Sequence, residues 1–119
     1  MDLIIGGAYQ GKLAYARQTF ALDDADIGIC TADAAPDWQK RCLTHYEQYI
    51  LYCLRRNITP QTPPRPDAVI LATDIFCGVV PVDAETRAWR EACGRALTGL
   101  SQQAASVTRL FCGLPQKLK

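Results

Sequence analysis

Gly6, four further residues, and then Gly11-Lys12 match the spacing G-x-x-x-x-G-K within the stretch GGAYQGKL. That spacing suits the binding of a phosphate chain. Glycines permit a sharp turn and a close approach of the backbone to a ligand. Backbone N–H groups of the turn, and of a helix that starts after it, point at phosphate oxygens. Lys12 supplies a point charge for the terminal phosphates. The next position ordinarily carries a Ser or Thr hydroxyl that holds Mg²⁺, and here it is Leu13. The expected ligand is ATP or GTP, held by Gly6, Gly7, Ala8, Tyr9, Gln10, Gly11, Lys12 and Leu13, with one ligand to Mg²⁺ absent. The competing reading is a glycine-rich turn that binds nothing.

The flanking residues decide between these readings. DLII before the loop reads as a strand over residues 2–5. LAYARQTF after it reads as a helix, because Leu13, Ala16, Arg17 and Phe20 recur at helical spacing. A short apolar run over 26–30 predicts a weak second strand. Pro36-Asp37 can start a helix, and Trp38, Cys42, His45, Tyr46, Tyr49, Ile50 and Cys53 predict that it runs over 37–56. NITPQTPPRPD, residues 57–67, holds four of the seven prolines and predicts a linker between two halves. AVILAT over 68–73 has the continuous apolar character of a strand buried in a parallel sheet. Asp83 predicts an N-cap, and Trp89, Ala92, Cys93, Ala96, Leu97, Leu100 and Ala104 predict the helix that follows it. VTRLFCGL over 107–114 predicts a last strand stopped by glycine. The order β-α-β-α-β-α-β predicts one α/β domain over 1–119. It is expected to be a three-layer, P-loop-type domain with a mostly parallel sheet of about four strands and helices on both faces. The ligand then belongs at the carboxyl ends of the strands, where Asp74 follows the best strand and is a candidate for base or metal ligand. Asp74 is equally well read as a turn-former.

Composition narrows the partners. A chain of 119 residues with a net charge of +1 presents no electrostatic case for nucleic acid. No long apolar run or cationic leader is visible, so neither membrane insertion nor secretion is expected, and the cytoplasm is the expected location. The six cysteines form no C-x-x-C pair, which argues against zinc and against redox chemistry and predicts buried, reduced thiols.

ILATDIFCGVVPVDAETRAWREACGRAL, followed by VTRLFCGLPQKLK, resembles the carboxyl half of the adenosylcobinamide kinase / adenosylcobinamide-phosphate guanylyltransferases. That family has an N-E-V-G-x-G-I-V-P turn, an R-x-x-R-D-x-x-G helix and an S-G-I-P-x-x-L-K end. Thr73 through Pro81 occupy the turn, Arg87, Arg90, Glu91 and Gly94 the helix, and Gly113-Leu114-Pro115 with Leu118-Lys119 the end. The family's opening G-G-x-x-S-G-K-S loop is in register with Gly6-Gly7 and Gly11-Lys12. The resemblance implies binding of ATP or GTP, with adenosylcobinamide as a substrate, phosphate clamping by Arg87 and Arg90, Asp74 as a Mg²⁺ ligand, and assembly into a homo-oligomer. It implies catalytic roles for Lys12 and Asp74. The family also carries a histidine that takes up GMP covalently, and His45, the only histidine, lies in a comparable place; it reads otherwise as a polar helix residue. The chain departs from the pattern at Leu13, at Asp74 in place of glutamate, at Phe76 in place of glycine, and at Leu97-Thr98 in place of Asn-Gln. It is also shorter than the family's usual length. These departures leave a second function class open, a nucleotide-binding or oligomer-forming module without catalysis.

Overall fold

A computed structural model of the chain describes residues 1–75 and 82–119. Its elements, in order, are β1 (Asp2–Gly6), α1 (Lys12–Phe20), a single 3₁₀ turn, β2 (Ile27–Ile29), β3 (Cys42–Thr44), α2 (Tyr46–Arg55), β4 (Val69–Thr73), α3 (Ala84–Gln103), β5 (Ser106–Phe111) and β6 (Leu114–Lys117). All six strands belong to one sheet, ordered β2-β3-β4-β1-β5-β6. The first five strands run parallel, and β6 returns antiparallel to β5. The sheet is therefore mixed.

The strand order explains the layering. The connection from β1 to β2 crosses the sheet in one direction, while those from β3 to β4 and from β4 to β5 cross it in the other. Crossovers between parallel strands are right-handed, so helices on opposite-going connections must cover opposite faces. The core follows this rule. Leu3, Leu43, Ile70, Ala72 and Val107 face Tyr49, Ile50, Cys53, Cys93, Leu97 and Leu100 of α2 and α3. Ile4, Cys42, Val69, Leu71 and Leu110 pack on the other face with Ala16 of α1. β1 and β4 are adjacent, yet their chains leave for opposite faces. The crevice at their carboxyl ends is where open α/β sheets place ligands.

Two expectations are corrected here. The residues expected as one helix over 37–56 contain β3 first, and α2 begins only at Tyr46. Cys42, Leu43 and Thr44 are all buried and pair with β2 and β4, and a short buried strand shows the same apolar run as a buried helix turn. His45, with φ 55°, separates strand from helix. The expected last strand likewise ends at Phe111, and a two-residue turn at Cys112 (φ 51°) and Gly113 (φ 75°) starts β6. Left-handed conformations at both turn positions are the geometry that matches strand twist in a tight hairpin. β6 is a polar edge strand containing Pro115, so it carries no alternating apolar signal. The proline-rich segment joins halves that share one sheet, which takes strands from both sides of it. Its Gln61 carbonyl accepts from the Tyr46 hydroxyl at 2.8 Å, and its Gln61 N–H donates to the Tyr49 hydroxyl at 2.9 Å. Asp83 caps α3 as expected, accepting from the Thr86 N–H at 2.8 Å.

Gly6 shows how tightly the sheet constrains the site. It pairs with Thr73 of β4 and Leu110 of β5. A Cβ built on Gly6 would lie 2.6 Å from the Leu110 carbonyl oxygen, which is backbone and cannot swing away. Gly6→Ala is expected to lower stability by about 1–3 kcal/mol, the usual cost of forcing a methyl into a packed interior. Urea unfolding followed by far-UV circular dichroism measures this; an unchanged midpoint would contradict the packing described.

Candidate phosphate-binding site

The loop after β1 hangs over the crevice. Tyr9 (φ 59°) and Gly11 (φ 88°) take left-handed conformations, and Gly11 caps the start of α1. Among the described residues, the backbone N–H groups of Ala8 through Gly11 find no acceptor in the protein. The first N–H groups of α1 add to them, because a helix start leaves its donors unpaired and carries a partial positive charge.

Lys12 folds back over this loop. Its Nζ donates to the Gly7 carbonyl at 2.7 Å and to the Gly6 carbonyl at 3.2 Å. The ammonium therefore closes the loop from below and occupies the place where the strand hands over to the turn. Burial holds its pKa below the ordinary lysine value, while the charges of Glu47 and Asp74 pull it back up. Asp74 is tied to the same point: its N–H donates to the Gly6 carbonyl at 3.1 Å, and its Oδ1 lies 4.0 Å from where a Cβ on Gly7 would be.

The other side of the loop is braced by the β5–β6 turn. The Gly113 N–H donates to the Gln10 carbonyl at 3.0 Å, and the Cys112 N–H donates to the Gln10 side-chain oxygen. The Gln10 side chain is thus turned toward the hairpin and braces the loop, where the sequence led us to expect a ligand contact. Tyr9 is fully exposed at the loop tip.

A cavity of about 490 Å³ opens beside the loop on the α1 face. Tyr9, Gln10 and Gly11 form one wall, and Lys12, Leu13, Ala14 and Arg17 of α1 form the next. Asp24, Ile27, Ile29, Thr44, His45 and Leu71 complete it. Leu13, at the position of the missing hydroxyl, is an apolar wall of this cavity. The cavity wall brings together Gly11, Lys12, Leu13 and His45, while Gly6, Gly7 and Asp74 do not line it and are tied to its edge through the Lys12 and Gly6 hydrogen bonds. Arg87 and Arg90 do not line it either. Both lie on α3, with Arg87 donating to the Val82 carbonyl. The turn from Phe76 to Pro81, which was expected to carry family features, lies outside the described residues.

One functional candidate was missed. Glu47, in the first turn of α2, is only 5% exposed. Its Oε2 accepts from the Thr73 N–H at 3.1 Å, and its Oε1 lies 3.5 Å from His45 Nδ1. Trp89 Nε1 donates to its carbonyl at 2.7 Å. A buried carboxylate needs partners, and Glu47 finds them at the carboxyl end of β4, beside the Lys12 charge. The residues do not fit a protein-held Mg²⁺. Leu13 offers no oxygen, the Glu47 carboxylate is engaged with the Thr73 N–H, and the described residues include no group of three or more metal-ligating side chains.

Of the cysteines, Cys30, Cys42, Cys53 and Cys93 are buried free thiols, Cys112 is exposed, and Cys77 lies outside the described residues. Burial pushes the Cys30 thiol up to about 12 and Cys42 up to about 11, which keeps both protonated and unreactive. Among the described residues, no helix is long and apolar enough to cross a membrane. No family model matches the chain, and neither does any curated sequence.

The Lys12 environment predicts a pH dependence. If the loop holds phosphate, the charged ammonium is the binding form, and its lowered pKa means that the charge is lost at a lower pH than in a free lysine. A bound phosphate chain adds negative charge and pulls the pKa up. Phosphate binding is then accompanied by proton uptake at alkaline pH, and affinity falls as pH rises through the lowered pKa. Calorimetry of ATP binding in two alkaline buffers of different ionisation enthalpy tests this; identical apparent enthalpies would contradict it.

Proposed function

We propose that the chain is a nucleotide-binding protein that holds the phosphates of ATP or GTP on residues 6–12. On this reading it is a shortened relative of the adenosylcobinamide kinase / adenosylcobinamide-phosphate guanylyltransferases and serves cobalamin assembly or salvage. The observation that carries the binding reading is the convergence at one point of unpaired loop N–H groups, the α1 start and the Lys12 ammonium, at the crevice between β1 and β4. The cobinamide substrate rests on the sequence resemblance alone.

Phosphoryl transfer depends mainly on positioning and electrostatics, and it is the activity this loop is best equipped to retain. A second reading, a binding module with impaired catalysis, is favoured by one specific observation: Leu13 turns the metal-ligand position into an apolar cavity wall. Poor metal placement acts on the transition state, where charge develops.

Lys12→Ala is expected to weaken ATP or GTP binding by about 1.5–3 kcal/mol, the worth of a charge-assisted contact. Titration calorimetry of both proteins measures this, and equal affinities would remove the loop from the reading. With adenosylcobinamide, MgATP and MgGTP, wild type is expected to give little phosphorylated or GDP-linked product, and Leu13→Ser more. Robust wild-type turnover would exclude the impaired-module reading. No product from either protein would favour a binding module.

A further inference from the structure

His45 and Glu47 form a pair that phosphate binding does not use. His45 is the N-cap of α2, but its side chain makes no capping bond. Its backbone is left-handed (φ 55°), a strained conformation for a residue with a Cβ. Such strain persists where the surroundings fix it and is concentrated at functional sites. The side chain is 60% exposed and lines the same cavity as Gly11 and Lys12. Its Nδ1 is turned toward Glu47 Oε1 at 3.5 Å. Glu47 is itself buried and anchored by the Thr73 N–H, so it cannot follow the imidazole into solvent. A carboxylate beside one ring nitrogen favours the proton on that nitrogen and leaves the other, Nε2, as the more basic one. At 3.5 Å the pair stands at ion-pair distance, and contacts of this kind commonly tighten into hydrogen bonds once substrate is bound.

We infer that the site hydrolyses nucleoside triphosphates, with His45 as the general base for a water in the cavity and Glu47 as the residue that positions it. The inference rests on the nucleotide-binding reading. In the step, a water O–H bond breaks and its proton goes to His45 Nε2. The water oxygen bonds to the γ-phosphorus, and the bond from that phosphorus to the bridging oxygen of the β-phosphate breaks. The bonding pair leaves with the nucleoside diphosphate, inorganic phosphate is released, and the imidazolium returns its proton to solvent. His45 would be a catalytic residue. Glu47 would act only through it.

The test is phosphate release from MgATP and MgGTP by the full chain, alongside calorimetric binding of the same nucleotides. His45→Gly suits φ 55° and opens a space that added imidazole can fill. It is expected to lower kcat by about 10²–10⁴-fold, the usual contribution of a positioned base, with KM unchanged and part of the rate restored by imidazole. Glu47→Gln keeps an acceptor for the Thr73 N–H and is expected to lower kcat by a loss that imidazole does not restore; an unchanged kcat would remove its positioning role. Wild type that binds nucleotide but releases no phosphate would overturn the inference and leave the binding reading intact. Full activity in His45→Gly, or a loss that imidazole does not restore, would also overturn it. Wild type that binds no nucleotide would overturn both.

Discussion

β1 is hydrogen-bonded along its whole length to β4 on one side and to β5 on the other, and this central position fixes where the loop after it can go. The last residue of the strand, Gly6, is pressed against the β5 backbone and pinned to the Asp74 N–H. The chain has no lateral freedom there. It must turn upward into the crevice where α1 and α3 depart for opposite faces. Gly6 is therefore a glycine for the sake of the sheet, whereas Gly11 is one for its left-handed backbone. The two glycines of the motif meet different demands.

Charge at this point is arranged around Lys12. Its ammonium bonds to the carbonyls that precede the loop and is partly desolvated, with Glu47 and Asp74 as compensating negative charges. Desolvation makes the lysine a stronger attractor of an incoming anion, because fewer waters screen it. Leu13 adds to the apolar wall on the same side. On the proposed nucleotide-binding reading, these features favour phosphate, and Leu13 supplies no oxygen for a metal. The proposed hydrolysis would draw on groups outside the loop, where His45 and Glu47 stand.

The loop, α1, β1 and β4 were legible in the sequence because glycine spacing, helical periodicity and a continuous apolar strand are local signals. The two missed strands had no such signal. Cys42-Leu43-Thr44 is too short to show a period and is flanked by residues at helical spacing. Pro115 and the polar edge of β6 hid a hairpin whose turn relies on Cys112 and Gly113. Missing β3 also hid Glu47. Within a helix over 37–56 it would be one more mid-helix carboxylate. With the helix start at Tyr46 it becomes a first-turn acid aimed at the end of a strand, where the helix dipole favours it. The role of Gln10 could not be read either, since its partner Cys112 lies 102 residues away in the chain.

Backbone amide shifts in a ¹H–¹⁵N correlation spectrum, recorded while pyrophosphate is titrated into the protein, test the central claim most directly. Pyrophosphate carries the phosphate chemistry without base or sugar. The largest shifts are expected on the N–H groups of residues 8–13, saturating together and abolished by Lys12→Ala. Shifts confined to other parts of the surface, or an unaltered titration in Lys12→Ala, would contradict it.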